Sequence, residues 1–132
     1  MSEVRILLVE DEFSSAEVLA LLLADAGYHV TVAADGRQAL SRLEDAAPDL
    51  LVTDFMMPGM NGAELVKALR ATPRYADLPV LLISGAPESA LRPYKVPYQA
   101  FLRKPFALDE FLRAVANLRD AAPGRGRPAT QA

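Results

Sequence analysis

The chain has 132 residues, enough for one domain with a real core, and 52% of them are apolar. Charged residues make up 23% and the formal net charge is −3, which argues weakly against a nucleic-acid surface, since such surfaces are basic. There is no cysteine, so disulfides, thiolate metal sites and a cysteine nucleophile are excluded, and the lone His29 gives little support to a histidine-based dyad.

The N-terminus reads M-S-E-V-R before four apolar residues and has no signal-peptide pattern. No apolar segment approaches the roughly 18 residues that a bilayer span needs. A cytoplasmic location is therefore expected.

Arg5 to Val9 is a β-rich apolar run that stops at Glu10-Asp11-Glu12. Ser14 or Ser15 is the expected N-cap of a first helix whose apolar set is Val18, Leu19, Leu22, Leu23 and Ala26, with Gly27 at its C-cap. A second strand is expected over His29 to Ala33. Asp35-Gly36 then opens a second helix carrying Ala39, Leu40 and Leu43, which ends near Ala47-Pro48.

The stretch Leu50 to Gly62, L-L-V-T-D-F-M-M-P-G-M-N-G, is a third strand that runs into Asp54 and a loop punctuated by Pro58-Gly59 and Asn61-Gly62. Asn61 is expected to cap a third helix with Leu65, Val66 and Leu69. A fourth strand at Pro79 to Ile83 ends at Ser84, and a short fifth, Ala100 to Leu102, leads to Arg103-Lys104-Pro105-Phe106. The last helix carries Leu108, Phe111, Leu112, Val115 and Leu118 as one stripe, with Asp109 and Glu110 in its first turn. Residues 122–132 have no apolar periodicity and are expected to form a disordered tail or the start of a linker beyond a domain of residues 1–121. The alternation predicts an α/β fold, a doubly wound five-stranded parallel sheet with right-handed crossovers.

The segment between the fourth and fifth strands departs from that pattern. It holds Pro87, Pro93 and Pro97. Pro87 can start a helix, but Pro93 costs about 3 kcal/mol inside one and disfavours helix at Arg92. A short or broken fourth helix is predicted, about a turn from Glu88 to Leu91 or Arg92, with fast amide exchange over Glu88 to Val96.

In a parallel sheet the carboxyl ends of the strands share one edge, and Glu10, Asp11, Asp54, Ser84 and Lys104 all fall there. Clustered carboxylates repel, and oxygen ligands without His or Cys favour Mg²⁺ or Ca²⁺ over zinc. Mg²⁺ keeps several waters and so leaves room for a phosphoryl oxygen. Lys104 and Ser84 suit a phosphate, and Asp54 as a nucleophile would take the phosphoryl group as an acyl phosphate.

These motifs, L-L-V-E-D-E, V-T-D-F-M-M-P-G-M-N-G, L-I-S-G-A and F-L-R-K-P-F in that order, resemble the receiver domain of two-component response regulators from about Glu3 to Ala121. The resemblance implies the flavodoxin-like receiver fold and phosphorylation of Asp54 by a histidine kinase or a phosphotransfer protein. It implies that Asp11, Asp54 and the backbone carbonyl of Met56 ligate Mg²⁺, with Glu10 acting mostly through a metal-bound water. Ser84 and Lys104 would hold phosphoryl oxygens, and Phe101 would be the aromatic switch. Catalysis would be limited to the chain's own phosphoryl transfer and autodephosphorylation. Related receivers carry a cis Lys-Pro bond at the position of Lys104-Pro105.

Three departures accompany the resemblance. Glu10 stands where aspartate is equally usual. Phe101 lacks a hydroxyl, so its rotation must be driven by packing. Ala107 gives up a helix cap worth about 1 kcal/mol. A phosphatase of the haloacid dehalogenase type would need a second acid two residues after Asp54, where Met56 stands. A phosphorylation-independent pseudo-receiver would lack part of the acidic set, all of which is present. A stand-alone regulator, a phosphorelay shuttle and a piece of a larger protein remain open. The broken fourth helix predicts that the common dimer face is not used, and that partners meet the first helix, the Tyr94 to Tyr98 loop, or both.

Overall fold

The computed structural model describes residues 3–121; the expected tail lies outside them. Five strands, β1 (Arg5–Val9), β2 (His29–Ala33), β3 (Leu50–Asp54), β4 (Val80–Ser84) and β5 (Ala100–Arg103), form one sheet in the order β2-β1-β3-β4-β5. Every neighbouring pair is parallel. With helices on both faces, this is the doubly wound, flavodoxin-like arrangement that the alternation predicts.

The apolar runs follow from burial on both faces. Ile6 and Leu8 point into a core with Leu19, Leu23, Phe111 and Val115. Leu7 and Val9 point the other way, into a core with Leu65, Val66 and Leu69. The same alternation in β3 sends Leu50 and Val52 to the first core and Leu51 to the second. β3 is central and wholly buried, which fixes Asp54 at its carboxyl end.

Among the described residues, five α-helices cover the sheet: α1 (Phe13–Asp25), α2 (Gly36–Ser41), α3 (Leu43–Ala46), α4 (Gly62–Arg70) and α5 (Leu108–Ala121). The cap of α1 is Glu12, not a serine, and its carboxylate accepts from the Ser15 N–H at 2.7 Å. The helix thus begins two to three residues earlier than expected, and Ser14 and Ser15 fall inside its first turn. Its buried residues are Ala16, Leu19 and Leu23, while Val18 is 47% exposed and Ala26 lies on the surface. Leucines and valines surround this helix, and only contact with β1 and β2 decides which side is covered.

The expected second helix is split. Asp35 caps α2 through the Gln38 N–H, and the chain breaks at Arg42, whose guanidinium reaches back to the Val32 carbonyl of β2. A short α3 then ends on Ala47 in the left-handed region. In contrast, α4 has the expected Asn61 cap, completed by Glu64 into a capping box. The lost cap at Ala107 is partly offset, because the Glu110 carboxylate accepts from the Ala107 N–H at 2.9 Å.

Between β4 and β5 no α-helix forms. A first 3₁₀ turn, η1 (Pro73–Tyr75), follows α4, and a second 3₁₀ helix, η2, spans Glu88–Tyr94 between β4 and β5. It is short, as predicted, but runs past Arg92 and through Pro93. A 3₁₀ turn is bonded from residue to residue three on, so each bond closes locally, as in Ala90 N–H to Pro87 O at 2.9 Å and Lys95 N–H to Arg92 O at 3.1 Å. The proline removes one such bond without breaking a long ladder. The Lys104-Pro105 peptide is cis, as expected.

Candidate functional site

The exit of β1 divides three acidic neighbours among three positions. The Glu10 side chain turns inward and is 4% exposed, with its carboxylate accepting from the Glu12 N–H at 3.0 Å. Asp11 stays exposed at the rim, and Glu12 caps α1. Asp54 is 5% exposed at the end of the central strand. One carboxylate oxygen from each of Glu10, Asp11 and Asp54 lies within 4.8 Å of the others. Strand order accounts for this convergence: β1 and β3 are adjacent, while β2 leads away on the other side, so a crevice opens at their carboxyl ends.

Lys104 closes the site from β5. Its Nζ lies 3.0 Å from Asp54 Oδ1 and 3.6 Å from Glu10 Oε1. The Lys104 N–H donates to the Ser84 carbonyl at 2.8 Å, which ties the lysine to the end of β4. The Ser84 side chain is 2% exposed, and its hydroxyl accepts from the Ala86 N–H at 3.0 Å. Gly85 follows in open space, since a Cβ there would meet nothing within 4 Å.

The charges do not balance. Burial, and then the facing Glu10 carboxyl, push the Asp54 carboxyl up from 3.8 to about 7, against the pull of Lys104. Burial would lower the Lys104 ammonium, but Asp54 and Glu10 outweigh it and hold it charged beyond the ordinary range. With all three carboxylates ionised, one ammonium would leave two negative charges, which one divalent cation would cancel. The all-oxygen donor set matches a hard cation such as Mg²⁺ or Ca²⁺.

The three acids thus converge, and Lys104 pairs with two of them, Glu10 and Asp54. Ser84 reaches the same strand-end edge but bonds locally. Phe101 does not face the acids; it is half-buried in a separate cluster with Phe55, Leu82 and Leu91, its ring 6.3 Å from that of Tyr98. The Met56 side chain is 69% exposed; only its backbone is a candidate for the site.

Two supporting residues escaped the sequence reading. The Thr53 hydroxyl donates to the Asp54 carbonyl at 2.9 Å, and the Gly62 N–H donates to the Phe55 carbonyl at 2.7 Å. A Cβ on Gly62 would lie 2.7 Å from the Asp54 carbonyl oxygen, so only glycine lets α4 start this close to the Asp54 backbone. The Asn61-Gly62 turn signal was the available clue.

A groove of about 430 Å³ runs from Glu10 and Lys104 along Ser14, Val18, Phe106 and Leu108. Phe13, Leu21 and Leu108 are exposed nearby on α1 and at the start of α5. A larger groove, about 890 Å³, lies around Arg70, Asp77, Gln99 and Asn117 near the amino ends of β4 and β5, away from the acids. Among the described residues no helix is long and apolar enough to cross a membrane.

The family model for the response regulator receiver domain matches residues 6–116. Response regulator MprA of Mycolicibacterium vanbaalenii is 40% identical over 126 residues, covering 93% of this chain and 54% of that protein. The chain therefore spans about half the length of such curated relatives. Chemotaxis response regulator CheY4 of Vibrio cholerae superposes with a TM-score of 0.83 at 32% identity, covering 89% of this chain and 99% of that one. The receiver domain of a sensor histidine kinase from Pseudomonas aeruginosa, with a magnesium ion coordinated in its active site cleft, superposes with a TM-score of 0.82 at 26% identity. That match covers 91% of this chain and 100% of the other.

Proposed function

The chain belongs to the response regulator receiver domain family, and from that premise we propose that Asp54 is its phosphoacceptor, charged by a histidine kinase or a histidine phosphotransfer protein in the cytoplasm. The observation that carries this is the placement of Asp54: a buried carboxylate at the end of the central strand, 3.0 Å from Lys104 and clustered with Glu10 and Asp11.

Asp11, Asp54 and the Met56 carbonyl would hold Mg²⁺, with Glu10 linked through water. Bound there, Mg²⁺ neutralises the carboxylates and the incoming phosphoryl oxygens. The Asp54 carboxylate attacks phosphorus as the bond to the donor nitrogen breaks, and an acyl phosphate results. Lys104, now free of Asp54, pairs with a phosphoryl oxygen. The Ser84 hydroxyl, which accepts from the Ala86 N–H, donates its own hydrogen to another phosphoryl oxygen, and the open space at Gly85 lets the loop follow. That movement makes room for Phe101 to turn inward. The same pocket hydrolyses the acyl phosphate, which resets the switch.

The exposed apolar side chains of α1 and the groove beside Lys104 give the kinase or phosphotransfer partner a surface next to the nucleophile. Acetyl phosphate with Mg²⁺ should add one base-labile phosphoryl group to the wild-type chain and none to Asp54→Ala. Equal labelling of the two would refute the assignment.

A further inference from the structure

Three side-chain ties fix η2, and the loop after it is held as well by the Arg70 hydrogen bond to the Pro97 carbonyl at 2.8 Å. Leu91 is 2% exposed in the cluster with Phe55, Ala63 and Leu82. Glu88 accepts a hydrogen bond from the Tyr98 hydroxyl at 2.6 Å. The third tie is Tyr94, whose ring meets that of Phe55 edge to face, with centroids 5.0 Å apart and planes at 70°.

These ties differ in kind. Leu91 supplies the burial that docks the segment, and Glu88 with Tyr98 closes it on itself. Tyr94 is 40% exposed and contributes little burial, yet it touches the residue that follows the nucleophile. Its own position is stiff, between Pro93, whose ring fixes φ, and Lys95, whose left-handed backbone (φ 51°) ends the helix.

Phe55 is equally fixed behind its ring. Its N–H donates to the Ile83 carbonyl at 2.8 Å and its carbonyl accepts from the Gly62 N–H at 2.7 Å. After Asp54 the main chain leaves regular structure until α4 begins at Gly62. Phe55 opens that stretch, Met56 has an exposed side chain, and Met57 is buried in the core. Beside its two backbone bonds, the packing of the Phe55 ring therefore bears on the chain segment directly after Asp54.

We propose that Tyr94 is a positioning residue for the phosphoacceptor loop: by packing edge-on against Phe55 it fixes the exit of β3, and with it the Asp54 carboxylate and Met56 carbonyl that receive the metal. This rests on the reading of Asp54 and Met56 given above. In this chain a 3₁₀ segment braces the site, so the contact is reciprocal, and metal binding must in turn favour the docked segment.

The test is a Mg²⁺ titration of the unphosphorylated full chain by calorimetry or amide shifts, with acetyl-phosphate labelling alongside. Tyr94→Ala should raise the Mg²⁺ Kd about threefold to tenfold, the range an edge-to-face aromatic pair can supply. Tyr94→Leu, which keeps an apolar side chain at this half-exposed position, should weaken binding as well. Tyr94→Phe should bind as the wild type does, because the hydroxyl has no part in the contact. Tyr98→Phe, which cuts a different tie of the same segment, should leave Kd unchanged. An unchanged Kd in Tyr94→Ala, with Asp54 labelling intact, overturns the positioning role alone. Equal weakening by Tyr98→Phe also overturns it, since any loosening of the segment would then suffice. A wild-type chain that neither binds Mg²⁺ nor labels on Asp54 overturns the receiver-site reading together with the inference.

Discussion

Two connections flank the end of β3, and they are built on opposite terms. α4 begins against the Asp54 and Phe55 backbone, has a full capping box, and buries Leu65, Val66 and Leu69 completely. η2 has no side-chain cap, three prolines in or beside it, and one fully covered residue, Leu91. One wall of the site is therefore part of the core, and the other rests on a satellite cluster against which Phe101, the proposed switch residue, also packs. A phosphorylation switch needs both: a fixed nucleophile and an element close to its stability limit, whose position a small rearrangement can change.

Amide exchange puts the contrast to its sharpest test. Glu64 to Leu69 should exchange through near-global opening, and Glu88 to Val96 through local opening about a thousandfold faster or more. Matching protection in the two segments would erase the distinction. Truncation should show the same contrast in stability. Leu69→Ala removes a fully buried side chain from a core that cannot collapse around it, at about 2–5 kcal/mol in denaturant unfolding. Leu91→Ala should cost clearly less, since η2 can undock or settle into the space. Equal losses would mean that η2 is as integral as α4.

The acidic site reports on the rigid wall through pH. In the metal-free protein the Asp54 carboxyl is raised from 3.8 to about 7, so between those values the folded chain holds a proton that the unfolded chain has released. Stability from this group is therefore greatest at low pH and falls as pH rises from about 4 to 7, then levels off. Asp54→Asn removes the dependence. The variant should be the more stable of the two at pH 7.5 by a few kcal/mol at most, and the gap should close toward pH 4. Mg²⁺ should narrow the gap at pH 7.5 by stabilising the wild type. A gap that is constant with pH would show that the wall relaxes around the charge.

Residue order alone carried most of the site. The four polar strand ends, Glu10-Asp11, Asp54, Ser84 and Lys104, follow apolar runs that can only be buried strands, and parallel alignment brings such ends to one edge. The prolines at 87, 93 and 97 likewise ruled out a regular helix before β5 through backbone chemistry that needs no tertiary context. Local competition was harder to read. Glu12 took the α1 cap from Ser14 and Ser15, and the second helix is interrupted at Arg42, whose guanidinium bonds to the Val32 carbonyl of β2.

What only the tertiary structure decided were choices among residues of one kind. α1 is apolar on more than one side, and the sheet selected Leu19 and Leu23 for burial while leaving Val18 and Leu21 exposed. Phe55, Tyr94, Tyr98 and Phe101 are all aromatic, yet only their arrangement shows that Tyr94 meets Phe55 beside Asp54, while Tyr98 lies against Phe101. Periodicity and turn chemistry act over a few residues and can be read along the chain. The partner of an exposed aromatic ring is set by the packing of segments some forty residues apart, and that appears only once the sheet has brought them together.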